Sequence, residues 1–253
     1  MDAKSVTIIT GGGRGIGRAI ALRMARETAV MVVGRTEKDL VSACEEISAI
    51  GGDAYFVTGD VSDPTTARTA SEACHFRGLT VRNLVCNAGL GKTGAIESFD
   101  DVLWKQIVDV NVHGAFHFIK ACLPAMLGAK RGTICIMSSV SGLTGSTHNA
   151  PYVASKHALV GLAKALAKEH GKNGIVTVAI CPGFVESEMT ERSIRKRVEL
   201  RGMTETEALE HIRNVNPQKR IIPAEEVAEM IAFVCSGKVP SLSGSALILS
   251  GGA

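Results

Sequence analysis

Several signals that mark particular classes of protein are missing from this sequence, and each absence narrows what it can be. The formal net charge is only +3 over 253 residues. That is too weak for a nucleic-acid-binding protein, which usually carries a concentrated basic face. No apolar run is long enough to span a membrane. We therefore expect neither nucleic acid nor a membrane among the partners of this chain.

Ordered cysteine patterns are also missing. The seven cysteines are an odd number and contain no C-x-x-C pair, which disfavours a disulfide framework or a metal site. Cys86, Cys135 and Cys181 lie in or beside apolar runs typical of buried strands. Met1 to Lys4 lead straight into such a run, so we expect no signal peptide. These features predict a reducing, cytoplasmic location and no bound metal.

There is no internal repeat, low-complexity linker or domain boundary. Instead, short apolar runs rich in β-branched residues alternate with longer amphipathic stretches. The predicted strands are Val6–Thr10, Val30–Val33, Ala54–Thr58, Asn83–Cys86, Thr133–Met137, Ile175–Ile180 and Ala246–Leu249. The predicted helices are Gly17–Arg26, Glu37–Ile50, a weaker one from Pro64, Val102–Leu127, Ala154–His170 and Ala224–Cys235. This alternation predicts one α/β domain over residues 1–253, a parallel sheet of about seven strands with helices on both faces.

A glycine-rich turn follows the first strand and precedes a helix. Glycines allow a tight turn and a close approach to a pyrophosphate, and the helix N-terminus offers it free N–H groups. The spacing is a variant of the usual G-x-G-x-x-G pattern. The turn predicts a Rossmann-type, doubly wound nucleotide-binding fold. The residues expected to contact the cofactor here are Thr10, Gly11, Arg14, Gly15, Ile16 and Gly17.

The end of the second strand indicates which dinucleotide is bound. An NAD site usually has an acidic residue there to bind the ribose 2′-OH, but this chain has Arg35. Together with Arg14, Arg35 offers charge-assisted hydrogen bonds to a 2′-phosphate, which favours NADP(H). The alternative is that both arginines are solvated surface residues.

Two further motifs follow the third and fourth strands. Asp60-Val61 is a plausible contact for adenine, and Asn87-Ala88-Gly89 ends the fourth strand. Ligands of open α/β sheets bind beyond the carboxyl ends of the strands, where all these motifs are expected to lie.

The predicted catalytic group centres on Tyr152 and Lys156, four residues apart at the start of a helix and so on one face. A neighbouring ammonium, with the positive nicotinamide of an oxidised cofactor, should lower the phenol pKa and allow proton exchange with a carbonyl oxygen. Ser139 could polarise the same oxygen. Asn111, in the long predicted helix, could hold a water that links Lys156 to solvent.

In these motifs the chain resembles the short-chain dehydrogenase/reductase family over almost its full length. The resemblance rests on T-G-x-x-x-G-x-G at Thr10–Gly17, N-A-G at Asn87–Gly89, Asn111, Ser139, Y-x-x-x-K at Tyr152–Lys156, and P-G at Pro182–Gly183. It implies a catalytic tetrad of Asn111, Ser139, Tyr152 and Lys156, with Tyr152 and Lys156 also touching the cofactor. Contacts at the nicotinamide end would come from Pro182, Gly183, Val185 and Ser187, the last replacing the usual Thr. Cys86 replaces a frequent Asn before N-A-G, a change expected to affect packing only.

The resemblance also suggests a substrate and an assembly. Residues 186–216 fall where the family places a mobile substrate lid, and Phe184, Met189, Leu143 and His148 are candidates for the pocket wall. The runs Ala154–Gly161 and Cys181–Met189 are similar to those of ketoreductases of aromatic polyketide and fatty-acid synthesis, which suggests a 3-oxoacyl thioester. Such a substrate could be carried on acyl-carrier protein or coenzyme A. The long apolar helices imply a homotetramer by the same resemblance.

Several alternatives remain open at this point. The basic residues of the lid, Arg192, Arg195, Lys196 and Arg197, together with Lys92, would meet an acidic carrier or form an ordinary solvated face. The scaffold would equally serve an alcohol dehydrogenase that oxidises a small or cyclic alcohol. A protein of another class, a redox sensor that binds NADPH without turnover, usually lacks the Tyr or the Lys, and this chain has both.

Overall fold

The computed structural model describes residues 4–253; Met1–Ala3, on which the signal-peptide expectation partly rests, lie outside the described residues. The strands are β1 Lys4–Thr10, β2 Ala29–Gly34, β3 Ala54–Thr58, β4 Leu79–Cys86, β5 Gly132–Met137, β6 Ile175–Pro182 and β7 Ala246–Leu249. The helices are α1 Gly15–Met24, α2 Glu37–Ala49, α3 Pro64–Phe76, α4 Asp101–Val108, α5 Gly114–Gly128, α6 Ala150–His170, α7 Glu188–Arg201, α8 Glu205–Val215 and α9 Ala224–Cys235.

The seven strands form one parallel sheet in the order β3-β2-β1-β4-β5-β6-β7. From β1 the chain winds outward to β2 and β3, then returns to place β4 on the other side of β1. Ile9 of β1 is therefore in register with Val32 on one side and Val85 on the other. This reversal opens a crevice at the carboxyl ends of β1 and β4, the usual ligand site of such sheets. The predicted α/β fold with a doubly wound parallel sheet is confirmed.

Both faces of the sheet are covered, which explains why its strands are apolar without alternation. Ile8 belongs to a core that also contains Phe118 of α5 and Leu159 of α6. Its neighbour Ile9 points to the opposite core, which is built from residues of α1, α2 and α9. Both isoleucines are fully buried, which contributes roughly 1.5–3 kcal/mol for each side chain.

The structure corrects three helix boundaries. The helix predicted over Val102–Leu127 is two α-helices, α4 and α5, separated by a π-helical turn at Asp109–His113. Helix α6 begins at Ala150 and not at Ala154, so Tyr152 lies inside its first turn. The polar segment over residues 186–216 is two helices, because Gly202 ends α7 in a left-handed conformation with φ of 64°.

The helices were also considered as membrane spans. Within residues 4–253, none is both long enough and apolar enough to cross a bilayer.

Candidate active site

The glycine turn builds a cradle at the N-terminus of α1. Gly11 and Gly15 have φ of 67° and 52°, the left-handed region that favours glycine. A Cβ on Gly17 would lie 2.0 Å from the carbonyl oxygen of Gly11, so the turn can close only around glycine. A Cβ on Gly15 would meet nothing within 4 Å, which leaves open space beside the start of the helix.

Helix α1 begins at Gly15, beside that space. Arg14 is the N-cap residue, and its side chain makes no capping hydrogen bond. Helix N-termini of this kind attract anions, because free N–H donors combine with the positive end of the helix dipole. Ile16, predicted with this group, is the second residue of α1, and its partly buried side chain packs against the core, which leaves its backbone N–H for the cofactor.

The two predicted phosphate-binding arginines are exposed, and each is paired with a carboxylate. Nη1 of Arg14 lies 2.7 Å from Oε1 of Glu188 at the start of α7. Nη1 of Arg35 lies 3.8 Å from Oδ2 of Asp60. The other oxygen of Asp60 accepts hydrogen bonds from the backbone N–H and the hydroxyl of Ser62. These contacts fix the loop after β3. Val61, the residue that follows Asp60 in this loop, is buried.

Hydrogen bonds hold the N-A-G motif to the end of β1. The hydroxyl of Thr10 accepts hydrogen bonds from the backbone N–H groups of Asn87 and Ala88, at 2.9 and 3.0 Å. The Asn87 side chain donates in turn to the carbonyl oxygen of Thr10. A Cβ on Gly89 would lie 3.5 Å from both Asn111 Oδ1 and Lys156 Nζ. The motif therefore joins the glycine turn to the catalytic residues.

Asn111 lies in the π-helical turn and is almost completely buried. Its Oδ1 accepts a hydrogen bond from the backbone N–H of Leu90, and its Nδ2 donates to the carbonyl oxygen of Leu90 and to the hydroxyl of Ser155. Both amide protons are therefore used within the protein. If Asn111 holds a water that links Lys156 to solvent, the water must bind an atom of Asn111 other than the side-chain nitrogen.

Tyr152, Lys156 and Ser139 meet at the end of β5. The ammonium of Lys156 donates to the carbonyl oxygen of Met137 at 2.7 Å and lies 5.5 Å from the centre of the Tyr152 ring. Burial lowers the pKa of Lys156 to about 8. Burial also raises the pKa of Tyr152, against the smaller lowering effect of the Ser139 hydroxyl.

In the chain without cofactor, burial has the largest effect on the phenol and raises the pKa of Tyr152. The expected lowering depends on Lys156 together with the positive nicotinamide of an oxidised cofactor, and it stays a prediction. The ammonium pairs with a backbone oxygen and its own charge is disfavoured by the same burial. The phenol is therefore protonated at neutral pH, as a proton donor must be before it acts.

Three serines at the ends of β5 and α6 hold this group together. The hydroxyl of Ser139 accepts from the backbone N–H of Ser141 and donates to the carbonyl oxygen of Pro182. Ser138 donates to the carbonyl oxygen of Lys156, and Ser155 donates to that of Tyr152. Sequence analysis missed the roles of Ser138 and Ser155, because nothing in a motif identifies the backbone atom that a hydroxyl will meet.

The residues predicted for the nicotinamide end follow β6. The backbone N–H of Gly183 donates to the carbonyl oxygen of Leu249 in β7, and Val185 is buried. Ser187 is the N-cap of α7, and its hydroxyl accepts from the N–H of Thr190 and donates to the carbonyl oxygen of Val185. These bonds direct the chain from the edge of the sheet into α7.

Helix α7 lies over the catalytic group. A Cβ on Gly91 would lie 3.2 Å from the Tyr152 ring and 3.7 Å from the sulfur of Met189, so one loop separates the phenol from this helix. Lys196 donates to the carbonyl oxygen of Thr93 in the same loop. Phe184 is half-buried under Arg197, with the guanidinium 5.7 Å from the ring centre. The other two suggested wall residues, Leu143 and His148, are exposed.

The residues present fit a dinucleotide that carries a 2′-phosphate. The open cradle at Gly15 with its free N–H groups suits a pyrophosphate. Arg14 and Arg35 have exposed guanidinium groups, and the residue directly after β2 is Arg35 and not an acidic residue. The predicted catalytic residues lie at the same edge of the sheet. This arrangement can transfer a proton beside a nicotinamide ring.

Comparison with known proteins agrees with this geometry. The family described as short chain dehydrogenase matches residues 5–198. A putative ketoacyl reductase of the granaticin polyketide synthase of Streptomyces violaceoruber is 37% identical, over 99% of this chain and 93% of its own. A 3-oxoacyl-acyl-carrier-protein reductase of Staphylococcus aureus is 32% identical, over 100% and 99%.

Solved structures agree as well. A variant of actinorhodin polyketide ketoreductase, crystallised with NADPH, superposes with a TM-score of 0.95 at 33% identity and covers 99% of this chain and 97% of its own. The family match extends over most of the sequence, and relatives more than 30% identical align along nearly all of it. The chain therefore belongs to the short-chain dehydrogenase family.

Proposed function

We propose that this chain is an NADP(H)-dependent oxidoreductase that reduces a ketone to a secondary alcohol. The observation that carries the proposal is the group of Tyr152, Ser139 and Lys156 beside an open glycine cradle at the switch point of the sheet. Relatives described as ketoacyl reductases, and a structural neighbour solved with NADPH, support the same reading.

In this mechanism the chain supplies the proton and orients the carbonyl. When bound, NADPH supplies the hydride that arrives at the carbonyl carbon. Tyr152, protonated because burial raises the pKa of its phenol, gives its proton to the carbonyl oxygen. Ser139 donates a hydrogen bond to that oxygen as negative charge develops on it. In exchange, Ser139 gives up its long hydrogen bond of 3.4 Å to Pro182.

Lys156 has two roles in the proposed mechanism. Its ammonium, held at the carbonyl oxygen of Met137, is positioned to bind the nicotinamide ribose. The pKa of about 8 also lets it take part in returning a proton to Tyr152 after each turnover. Asn111 contributes by holding the loop at Leu90 and helix α6 in place.

The cofactor would be held from the adenosine end to the nicotinamide end by the predicted residues. Arg14 and Arg35 bind the 2′-phosphate, and Asp60 and Val61 lie at the adenine. Gly11, Gly15 and Ile16 contact the pyrophosphate, which Gly17 allows to approach. Asn87, Ala88 and Gly89 support the ribose, and Pro182, Gly183, Val185 and Ser187 contact the carboxamide side.

For the substrate we propose a 3-oxoacyl thioester, carried on acyl-carrier protein or coenzyme A, with residues 186–216 as the lid. The relatives described as ketoacyl and 3-oxoacyl reductases support this choice. The basic residues of the lid give weaker support to an acidic carrier, because most of them already have partners within the chain. Arg192 and Arg195 pair with Glu188 and Glu191, each at 3.7 Å, and Lys196 is bound to Thr93.

The experiment that tests the function is a panel of carbonyl substrates followed by the loss of NADPH absorbance. The panel contains a 3-oxoacyl coenzyme A, the same acyl group on acyl-carrier protein, and small cyclic ketones. We expect the thioesters to have the highest kcat/KM. A panel of alcohols with NADP⁺ tests the alternative of an alcohol dehydrogenase. NADPH binding without turnover on any substrate would favour the redox sensor and overturn the proposal.

We further propose a homotetramer in a reducing, cytoplasmic compartment. Large apolar side chains on α4 and α5 are exposed in the single chain, among them Trp104 and Phe116. The seven cysteines, all within the described residues, are free thiols, and six of them are buried. An oxidising compartment is not needed for such a protein.

A further inference from the structure

One ion pair connects the cofactor cradle to the lid. Arg14 caps α1, and Glu188 is the first residue of α7, so the pair joins the N-termini of two helices that are far apart in sequence. Nη1 of Arg14 donates to Oε1 of Glu188 at 2.7 Å. The two side chains are 58% and 48% exposed, so either partner can exchange its contact for another.

The Arg14 guanidinium has a second predicted partner besides the carboxylate of Glu188. Under the proposed function, on which this inference rests, Arg14 binds the 2′-phosphate of NADP(H). Carboxylate and phosphate oxygens both seek the planar N–H fork of arginine, in which two parallel bonds form best with a single anion. A phosphate beside Arg14 would also meet the negative charge of Glu188.

We propose that Glu188 is a specificity-determining residue for the cofactor, which competes with the 2′-phosphate for Arg14 and so weakens the preference for NADPH over NADH. Glu188 acts through Arg14 and through its own charge, with no need to touch the nicotinamide. Its second oxygen lies 3.7 Å from Arg192, so the carboxylate keeps a cationic partner on its own helix when Arg14 leaves it.

The other cofactor arginine differs in one respect. Arg35 is also close to a carboxylate, but that carboxylate belongs to Asp60, which is fixed by two hydrogen bonds from Ser62 in the loop after β3. Glu188 lies instead on a lid helix, so of these two arginine–carboxylate pairs it is the one at Arg14 that links the lid to the cofactor site. NADPH binding should therefore release the lid from the cradle, whereas NADH binding should leave the pair intact.

The size of the effect follows from the exposure of the pair. Exposed ion pairs are weak, so replacing Glu188 should tighten NADPH binding by about two- to fivefold. The test is Glu188→Gln, with the dissociation constants of NADPH and NADH measured by isothermal titration calorimetry. The matched control is Glu191→Gln, which removes the same charge from the same helix at a residue paired only with Arg195. We expect NADPH to bind more tightly to Glu188→Gln but not to Glu191→Gln, and NADH binding to be unchanged in both variants.

Arg14→Gln separates this inference from the proposed function. If Arg14 binds the 2′-phosphate, Arg14→Gln lowers the ratio of NADPH to NADH affinity, and adding Glu188→Gln to it causes a smaller gain in NADPH affinity than Glu188→Gln causes by itself. A lowered ratio in Arg14→Gln, with no tightening in Glu188→Gln or an equal change in Glu191→Gln, would overturn the inference and leave the proposed function standing. An unchanged ratio in Arg14→Gln would remove the proposed role of Arg14 and the inference with it.

Discussion

At the scale of single residues, the site depends on a half-buried phenol and a buried ammonium, whose pKa values move in opposite directions for one reason. Burial disfavours charge, so it raises the pKa of the Tyr152 phenol and lowers that of the Lys156 ammonium to about 8. Both shifts favour the neutral form of each group. A neutral phenol can give its proton to a carbonyl oxygen, and an ammonium near its pKa can help to replace that proton.

The phenol is tested by Tyr152→Phe, which removes one oxygen from a half-buried ring. We expect kcat to fall by about 10²- to 10⁴-fold, because the proton donor is lost. The dissociation constant of NADPH should change little, since the ring still fills its place. Steady-state kinetics and calorimetry on the same preparation measure both quantities. Unchanged turnover in this variant would show that another group donates the proton.

Burial of the charged Lys156 ammonium should lower the free energy of unfolding of the protein. Its pKa falls from 10.5 to about 8 on folding, so the unfolded chain binds more protons between these two values. The free energy of unfolding therefore rises with pH across that window, and below about pH 8 the buried charge is a full cost. Lys156→Met should be inactive but more stable at pH 7, by roughly 1–3 kcal/mol.

Urea unfolding without cofactor, at pH 7 and at pH 10, measures the effect of Lys156. The stability difference between Lys156→Met and the wild type should shrink at pH 10, because the wild type gains stability there. A constant difference at both pH values would mean that the ammonium is not destabilised by burial.

At the scale of elements, the glycine turn and the π-helical turn determine where the site residues lie. The first brings the chain back on itself until Gly17 touches Gly11. The second re-aims Asn111 toward the loop after β4, where it binds Leu90, and toward Ser155 of α6. A π-helical turn inside a helix often marks a functional site, and here it brings α6 and the N-A-G loop together.

Gly17→Ala tests the closure of the glycine turn. Its Cβ would lie 2.0 Å from a backbone oxygen and 2.7 Å from Nδ2 of Asn87, so the turn must open. We expect a loss of about 1–3 kcal/mol in the free energy of unfolding and more than tenfold weaker NADPH binding. The control is Gly128→Ala, where a Cβ meets nothing within 4 Å. Thermal unfolding and calorimetry of both variants should separate them, and equal behaviour would contradict the account of the turn.

At the scale of the whole molecule, the single chain leaves apolar surface uncovered on α4 and α5. Val102, Trp104 and Phe116 are 78%, 37% and 47% exposed. Adjacent apolar side chains of this size commonly mark an interface between proteins. A second copy of the chain would cover them, as expected for the proposed homotetramer.

Light scattering should give a mass close to four times 26.6 kDa. Phe116→Glu should reduce that mass, because it places a charge within the proposed interface. Phe76→Glu is the control, since Phe76 is 82% exposed and belongs to the C-terminal end of α3 and not to α4 or α5. A monomeric wild type would contradict the proposal, as would loss of assembly in Phe76→Glu alone.

Much of this protein could be predicted from the sequence, because its main signals are local. Short apolar runs that alternate with amphipathic stretches predicted the parallel sheet, and the bounds of β3, β7 and α9 agree with prediction to the residue. The turn at Thr10–Gly17 and the spacing of Tyr152 and Lys156 were also visible, since each lies within one loop or one helical turn. These features follow from backbone sterics and periodicity, which depend on neighbouring residues alone.

Tertiary structure alone decided the contacts between distant segments. The pKa of Tyr152 depends on how far the folded chain buries it, and in the chain without cofactor that burial raises it. The break in the predicted Val102–Leu127 helix arises where Asn111 meets Leu90 and Ser155. The pairing of Arg14 with Glu188 likewise exists only after the sheet brings α1 and α7 to one edge. Sequence determines the elements and their chemistry, whereas burial and partners are properties of the packed molecule.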